Sequence, residues 1–264
     1  MAEMNLVLAH GFLGFQRRYG IHYFHGVKEY LAEALPQLHL KILETEVSPL
    51  ARIQLRGAQL RDQILAALAA GELDPAERVH LVAHSMGGLD ARWCLSPSNP
   101  ENIAEKVASL STISTPHRGS PVADFLTGGG RLPASAGTRF DAYLDLGLGI
   151  VDLTTEGAAR FNERFPDHPG VRYFSYAGKG RPGPRPTSLV LAPCHWIIAR
   201  TGAAANDGLV SVESAAWGES PEDPWPADHA DEIGHDLNQG RSAKPTFDYL
   251  ARYRAIVERL AQVA

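Results

Sequence analysis

Cysteine is nearly missing: Cys94 and Cys194 are the two in 264 residues. So few thiols exclude a disulfide scaffold, and two unpaired thiols are the expectation rather than one bridge. Blocks of like charge, low-complexity tracts and internal repeats are also missing, which argues against a disordered or repetitive protein. No stretch is long and apolar enough to span a membrane. "MAEMNLVLAHGF" has no basic region followed by a long apolar run, so it reads as a first buried strand rather than a signal peptide. A cytoplasmic protein, signal-independent export and a mature secreted form all stay open. The net charge of −5 and isoelectric point near 6.1 point away from nucleic acid and anionic membrane surfaces.

What is present is an ordinary globular balance, 44% hydrophobic and 21% charged, enough for one large domain spanning 1–264. The first half alternates apolar strands with amphipathic helices. Strands are predicted at 5–10, 38–44, 78–83 and 106–114, with helices at 27–35, ended by Pro36, and 51–70, ended by Gly71. "GVRYFSY" (170–176) is a further strand, and a last helix is expected from Lys244–Pro245. This order implies an α/β fold, a mostly parallel sheet with helices on both faces and ligands at the carboxyl ends of its strands. The interval 119–166 breaks the alternation with Gly- and Pro-rich pieces, and is expected to pack over those ends as a cap or lid.

"VHLVAHSMGGLDARW" (79–93) changes from strand to helix at Ser85. Small residues, Ala83 and Gly87, flank the serine at two positions on either side, the context of the strained G-x-S-x-G turn that exposes a nucleophile, here with Ala in place of the first Gly. A plain helix cap is the alternative reading of this serine. A serine nucleophile needs a base oriented by an acid, in the order Ser, Asp or Glu, His. Asp207, in the Asn-Asp-Gly turn of "ANDGLVSV" before a β-like run, and His229, in "DHADEIG", fit that order. Eleven histidines leave His195 and His235 as competitors for the base, and Glu213 and Asp231 compete as the acid. Backbone N–H groups of Met86, after the serine, and Phe12, in the glycine-bracketed "AHGFLGF", are the candidate oxyanion donors. Phe125, Leu126, Leu144, Leu146, Leu148 and Ile150 are candidates for an acyl-chain wall.

"HGFLGF", "TEVSPL", "RGAQL", "AHSMGG", "STPHRGS", "EGAARFNERFP", "NDGLVSV" and "DHADEIG" occur in an order that resembles the bacterial true lipases of the Pseudomonas, Burkholderia and Proteus type, over about residues 5–240. The resemblance implies an α/β-hydrolase fold and a triacylglycerol lipase acting at a lipid–water interface. It implies Ser85 as nucleophile, Asp207 as acid, His229 as base, Phe12 and Met86 as oxyanion donors, and Arg56 as a brace for the oxyanion loop. No cofactor is needed for such chemistry, but a structural Ca²⁺ near the histidine is implied, held by two aspartates and two backbone carbonyls. Asp231 matches one aspartate. The other should lie about twenty residues before Asp207, where residues 169–206 contain none, so the ligand set is one carboxylate short. The lid is shorter than in Pseudomonas relatives, the family disulfide is not evident, and no zinc-binding insertion precedes the nucleophile strand. A short-chain carboxylesterase, phospholipase, polyester depolymerase or acyltransferase would use the same machinery, and a non-catalytic binding protein of this fold is the remote alternative. Oligomeric state is not legible.

Overall fold

The computed structural model describes residues 3–12, 14, 17–18, 21–128, 149–180, 187–237 and 247–262. Five strands form one parallel sheet: β1 (Met4–Ala9), β2 (Leu40–Glu44), β3 (Val79–His84), β4 (Val107–Ile113) and β5 (Arg172–Tyr176), in the order β2-β1-β3-β4-β5. Parallel neighbours need crossovers, supplied by α1 (Val27–Ala34), α2 (Ile53–Ala70) and α3 (Gly87–Leu95). The expected elements of this half start and stop within two residues of these bounds.

Burial on both faces follows from the two-residue period of a strand. Leu6, Leu8 and Val82 pack against Val27 and Leu31 of α1 and the last helix. Val7, Ala9, Leu81 and Ala83 point the other way, onto Leu60 and Ile64 of α2 and Cys94 of α3. Each such aliphatic side chain, withdrawn from water, contributes roughly 1.5–3 kcal/mol. The chain leaves β1 to one side for β2 and returns on the other side as β3, so a crevice opens between the carboxyl ends of β1 and β3.

Beyond the sheet lie α4 (Pro121–Leu126), α5 (Gly149–Asp152), α6 (Thr155–Arg164), α7 (Ala192–Ala199), α8 (Val212–Ala215) and α9 (Tyr249–Leu260). Helices α4, α5 and α6 belong to the interval read as a cap. Ser120 and Thr154 cap α4 and α6 through their hydroxyls, and the Asp152 carboxylate ties α5 to Arg52 and to the Ile53 amide at the start of α2. The middle of the interval, with Leu144, Leu146 and Leu148, lies outside the described residues.

Two local expectations need correction. The run after Asn-Asp-Gly is not a strand: Val212–Ala215 form a helical turn, because Ser211 Oγ accepts the Ser214 N–H at 3.1 Å and starts it. The last helix begins at Tyr249, where Asp248 accepts the Ala251 N–H at 3.0 Å, rather than at Lys244–Pro245, which lie outside the described residues. Both cysteines are free thiols, as expected; Cys94 Sγ donates to the Gly57 carbonyl at 2.9 Å.

Candidate active site

Ser85 stands at the carboxyl end of β3 with φ +56°, a left-handed conformation on a non-glycine residue. Such backbone costs on the order of 1–3 kcal/mol and survives only where its surroundings enforce it. Here the Ser85 N–H donates to Ile113 at 2.9 Å, while its carbonyl accepts from Thr115 Oγ1 at 2.7 Å. A Cβ on Gly87 would lie 2.5 Å from the Ala9 carbonyl oxygen, so only glycine lets α3 start this close to β1. A Cβ on Gly11 would lie 2.6 Å from Ser85 Cβ, which shows how tightly the loop after β1 approaches the serine.

Asp207 is held by its own turn. Its Oδ1 accepts the N–H groups of Leu209 and Val210, both at 2.7 Å, and its Oδ2 meets His229 Nδ1 at 2.7 Å. The His229 amide also donates to the Asp207 carbonyl at 3.0 Å, so the two residues are joined through backbone and side chain. Asp207 is fully buried, whereas Ser85 and His229 each keep 8% of their surface exposed. Both line the same apolar cavity of about 350 Å³, with Tyr23, Leu126, Ile150 and Leu153 among its walls.

The competitors are placed elsewhere. His195 sits buried in α7, and among the described residues neither of its ring nitrogens has a hydrogen-bond partner. His235 Nε2 bonds to the Tyr23 carbonyl. Glu213 lies in α8 on the Arg118 side, and Asp231 Oδ2 accepts the Asp228 amide. Of the acyl-wall candidates described, Leu126 and Ile150 line the cavity, while Phe125 does not and is 68% exposed. Being next to Leu126 on one helix, it faces away from it.

Phe12 lines the cavity and Met86 follows Ser85 at the start of α3; among the described residues neither N–H donates to another backbone group. Arg56 is fully buried behind them. Its Nε donates to Asp90 Oδ2 at 2.8 Å, its Nη1 to the Ser48 carbonyl at 2.9 Å, and its Nη2 to the carbonyls of His10 and Gly11 at 2.9 and 3.2 Å. One planar fork thus fixes the loop that carries Phe12. His10 completes the support, accepting the Val47 N–H through Nε2 at 3.0 Å. Burial and the Arg56 charge lower its pKa to about 4, which keeps that nitrogen unprotonated.

Three residues that motif reasoning passed over, the half-buried Tyr23 and the buried His84 and Glu232, connect the two loops. The Tyr23 hydroxyl accepts the Gly11 N–H at 3.0 Å and meets His84 Nδ1 at 2.8 Å. His84 Nε2 meets Glu232 Oε2 at 3.1 Å, and Ser114 Oγ donates to Glu232 Oε1 at 2.7 Å. Burial and the Asp207 charge hold Glu232 well above the ordinary carboxyl range; burial, reinforced by His229, holds His84 well below the ordinary imidazole range. The rings of His84 and His229 lie 4.4 Å apart, and Glu232 Oε2 is 4.0 Å from His229 Nδ1. Glu232 was visible in "DHADEIG", but nothing in the sequence joins it to a histidine 148 positions earlier. His84, Glu232 and His229 are also the acid and imidazole groups gathered closely enough to share a metal ion among the described residues. His84 and Glu232 already engage each other, Tyr23 and Ser114, and His229 Nδ1 is engaged by Asp207.

Comparison with known proteins places the chain in a family. Residues 49–127 match a model described as a PGAP1-like alpha/beta domain. Triacylglycerol lipase 2 of Saccharomyces cerevisiae is 32% identical over 81% of this chain, which spans 62% of that protein's length. A triacylglycerol lipase of Pseudomonas fragi is 30% identical, with 87% of each chain covered. The structure of lipase 1 from Pelosinus fermentans superposes with a TM-score of 0.72 over the full length of both chains at 19% identity, a likeness of fold. The sheet order, the strained serine after β3 and these relatives agree: the chain belongs to the triacylglycerol lipase family and has its α/β-hydrolase fold.

Proposed function

We propose that this chain hydrolyses carboxylic esters of fatty acids through an acyl-enzyme on Ser85. The observation that carries the reading is the His229–Asp207 pair, held at 2.7 Å, opening onto the same apolar cavity as the strained Ser85. His229 takes the proton from Ser85 Oγ through its free ring nitrogen as the oxygen attacks the ester carbonyl. Asp207 keeps the Nδ1–H tautomer and stabilises the imidazolium. The N–H groups of Met86 and Phe12, which donate to no other backbone group among the described residues, receive the oxyanion, a donor contribution of about 3 kcal/mol each in comparable enzymes. The alcohol leaves with the proton from His229, and water repeats the attack to release the acid.

An apolar acyl chain suits the cavity walls, and the cavity's mouth is rimmed by exposed apolar groups. Leu126 is 64% exposed and Leu237 46%, and both line the cavity. An apolar rim of this kind favours a substrate presented at a lipid surface over a freely soluble one. The described part of the 119–166 interval supports reading it as the cap over this mouth, since Val122, Leu126 and Ile150 line the cavity from α4 and α5. No helix among the described residues is long and apolar enough to cross a membrane.

Initial rates on p-nitrophenyl esters of rising chain length, beside emulsified triacylglycerol, test the reading, with Ser85→Ala as the blank. Strong rates on long chains and the emulsion are expected. Rates confined to short soluble esters would make it a carboxylesterase, and a Ser85→Ala rate equal to wild type would remove the nucleophile assignment.

A further inference from the structure

We propose that the loop carrying His229 is held by a carboxylate of the chain itself rather than by a calcium ion, and that Asp228 is its positioning residue; this rests on reading His229 as the base. Asp228 is buried and three amides point into its carboxylate. Ser188 N–H donates to Oδ2 at 2.7 Å, and the N–H groups of Ala230 and Asp231 donate to Oδ1, each at 3.0 Å. In return Asp231 Oδ2 accepts the Asp228 N–H at 3.1 Å. The first of these bonds spans 40 positions and joins the segment leading into α7 to the loop that carries the base. Hydrogen bonds to a carboxylate are roughly twice as strong as those between neutral groups, and His229 lies between the two clamped residues.

The same atoms do not make a calcium site. Ca²⁺ takes about 6–8 oxygen ligands, several of them charged. Both Asp228 oxygens face amide hydrogens, which would confront a dication rather than bind it. Asp231 has one oxygen engaged with the Asp228 amide. The next acid, Glu232, is taken up by His84 and Ser114. Across the loop, residues 169–206 hold no aspartate. The hydroxyls there that find no partner among the described residues, Thr187 Oγ1 and Ser188 Oγ, are neutral and bring no charge to oppose the ion. The two segments that a calcium ion would have to bridge are already joined directly at Ser188–Asp228.

Two measurements test this. Thermal melts and initial rates of the wild-type protein on a soluble p-nitrophenyl ester are taken with excess calcium and with excess EDTA, and both should be unchanged. A midpoint or rate that falls with EDTA and returns with calcium would overturn the calcium half. Asp228→Asn keeps one acceptor oxygen but turns an N–H toward the Ser188 amide. Its kcat should fall roughly tenfold, as when a group that orients a catalytic side chain is lost, with KM near wild type and no recovery in calcium. Wild-type kcat in this variant would overturn the positioning role. If it does not fold, Asp228→Glu, which keeps the charge and misplaces it, is read the same way. A wild-type protein inert toward every ester would count against the functional reading, while the melts would still decide the calcium question.

Discussion

Arg56 and Asp90 form an ion pair almost wholly shut off from solvent, Nη2 to Oδ2 2.8 Å, directly behind the loop that runs from His10 to Phe12 beside Ser85. Two buried charges are costly unless both are fully engaged. The Arg56 side of this pair is, with Ser48, His10 and Gly11 accepting from its remaining N–H groups. Stability and loop placement therefore depend on one guanidinium. Lysine cannot reproduce it, because a point charge does not reach Asp90, Ser48 and the loop together. Arg56→Lys is expected to lose about 3–5 kcal/mol in urea unfolding, with kcat reduced more than KM is raised. A variant as stable and active as wild type would remove the brace.

Tyr23 joins the same loop from the other side. Tyr23→Phe leaves the Gly11 N–H and His84 Nδ1 without their partner. One unsatisfied buried group costs about 1–3 kcal/mol, equivalent to a fall of roughly 2–4 °C per kcal/mol for a chain of this size. A melting curve matching wild type would show that another group takes over both bonds.

Asp207 and Glu232 both approach His229, at 2.7 and 4.0 Å, and the proposed mechanism gives them different jobs. Asp207→Asn presents an amide to Nδ1 and favours the wrong tautomer, so kcat should drop by about 10⁴. Glu232 sits farther away, 4.0 Å, and its burial favours the uncharged carboxyl. Glu232→Gln should accordingly keep kcat to within about tenfold. The reverse ranking of the two variants would make Glu232 the acid.

His10 carries a pH dependence whose sign is set by its environment. Its pKa falls from 6.5 to about 4 on folding, mainly through burial and then through Arg56. Between those values the unfolded chain holds a proton that the folded chain does not. This group's contribution is therefore full above pH 6.5 and is lost as pH falls toward 4. The slope in that window is about 1.4 kcal/mol per pH unit. Urea unfolding of wild type and His10→Gln at several pH values should show their difference shrinking as the pH drops. A difference that stays constant from pH 7 to about 4 would show that His10 does not resist protonation.

Glycine 87 offers a purely steric test. A methyl group there would meet the Ala9 carbonyl at 2.5 Å and the His10 carbonyl at 2.8 Å. Backbone cannot give way as a side-chain tip can, so Gly87→Ala should destabilise by about 1–3 kcal/mol and move Met86 out of place. Equal stability and rate would mean that the start of α3 has slack.

Sequence by itself determined the alternation of strands and helices, the serine at the corner after β3, and the chain order of Ser85, Asp207 and His229. Those features are local: a two-residue apolar period, a glycine where backbones touch, an Asn-Asp-Gly turn. Family motifs also pointed to Arg56, Phe12 and Met86. Only the tertiary structure decided which of several acids and histidines meet. His229 finds Asp207 rather than Glu213 or Asp231, Tyr23 and His84 reach Glu232, and Ser188 reaches Asp228. Each of these contacts joins segments that meet only once the whole chain has folded around the sheet. Their partners lie tens to more than a hundred positions apart, and no local pattern encodes the pairing. The physical reason is burial: once water is excluded, a polar group keeps only the partner the packing puts within reach, and packing is a property of the whole sheet.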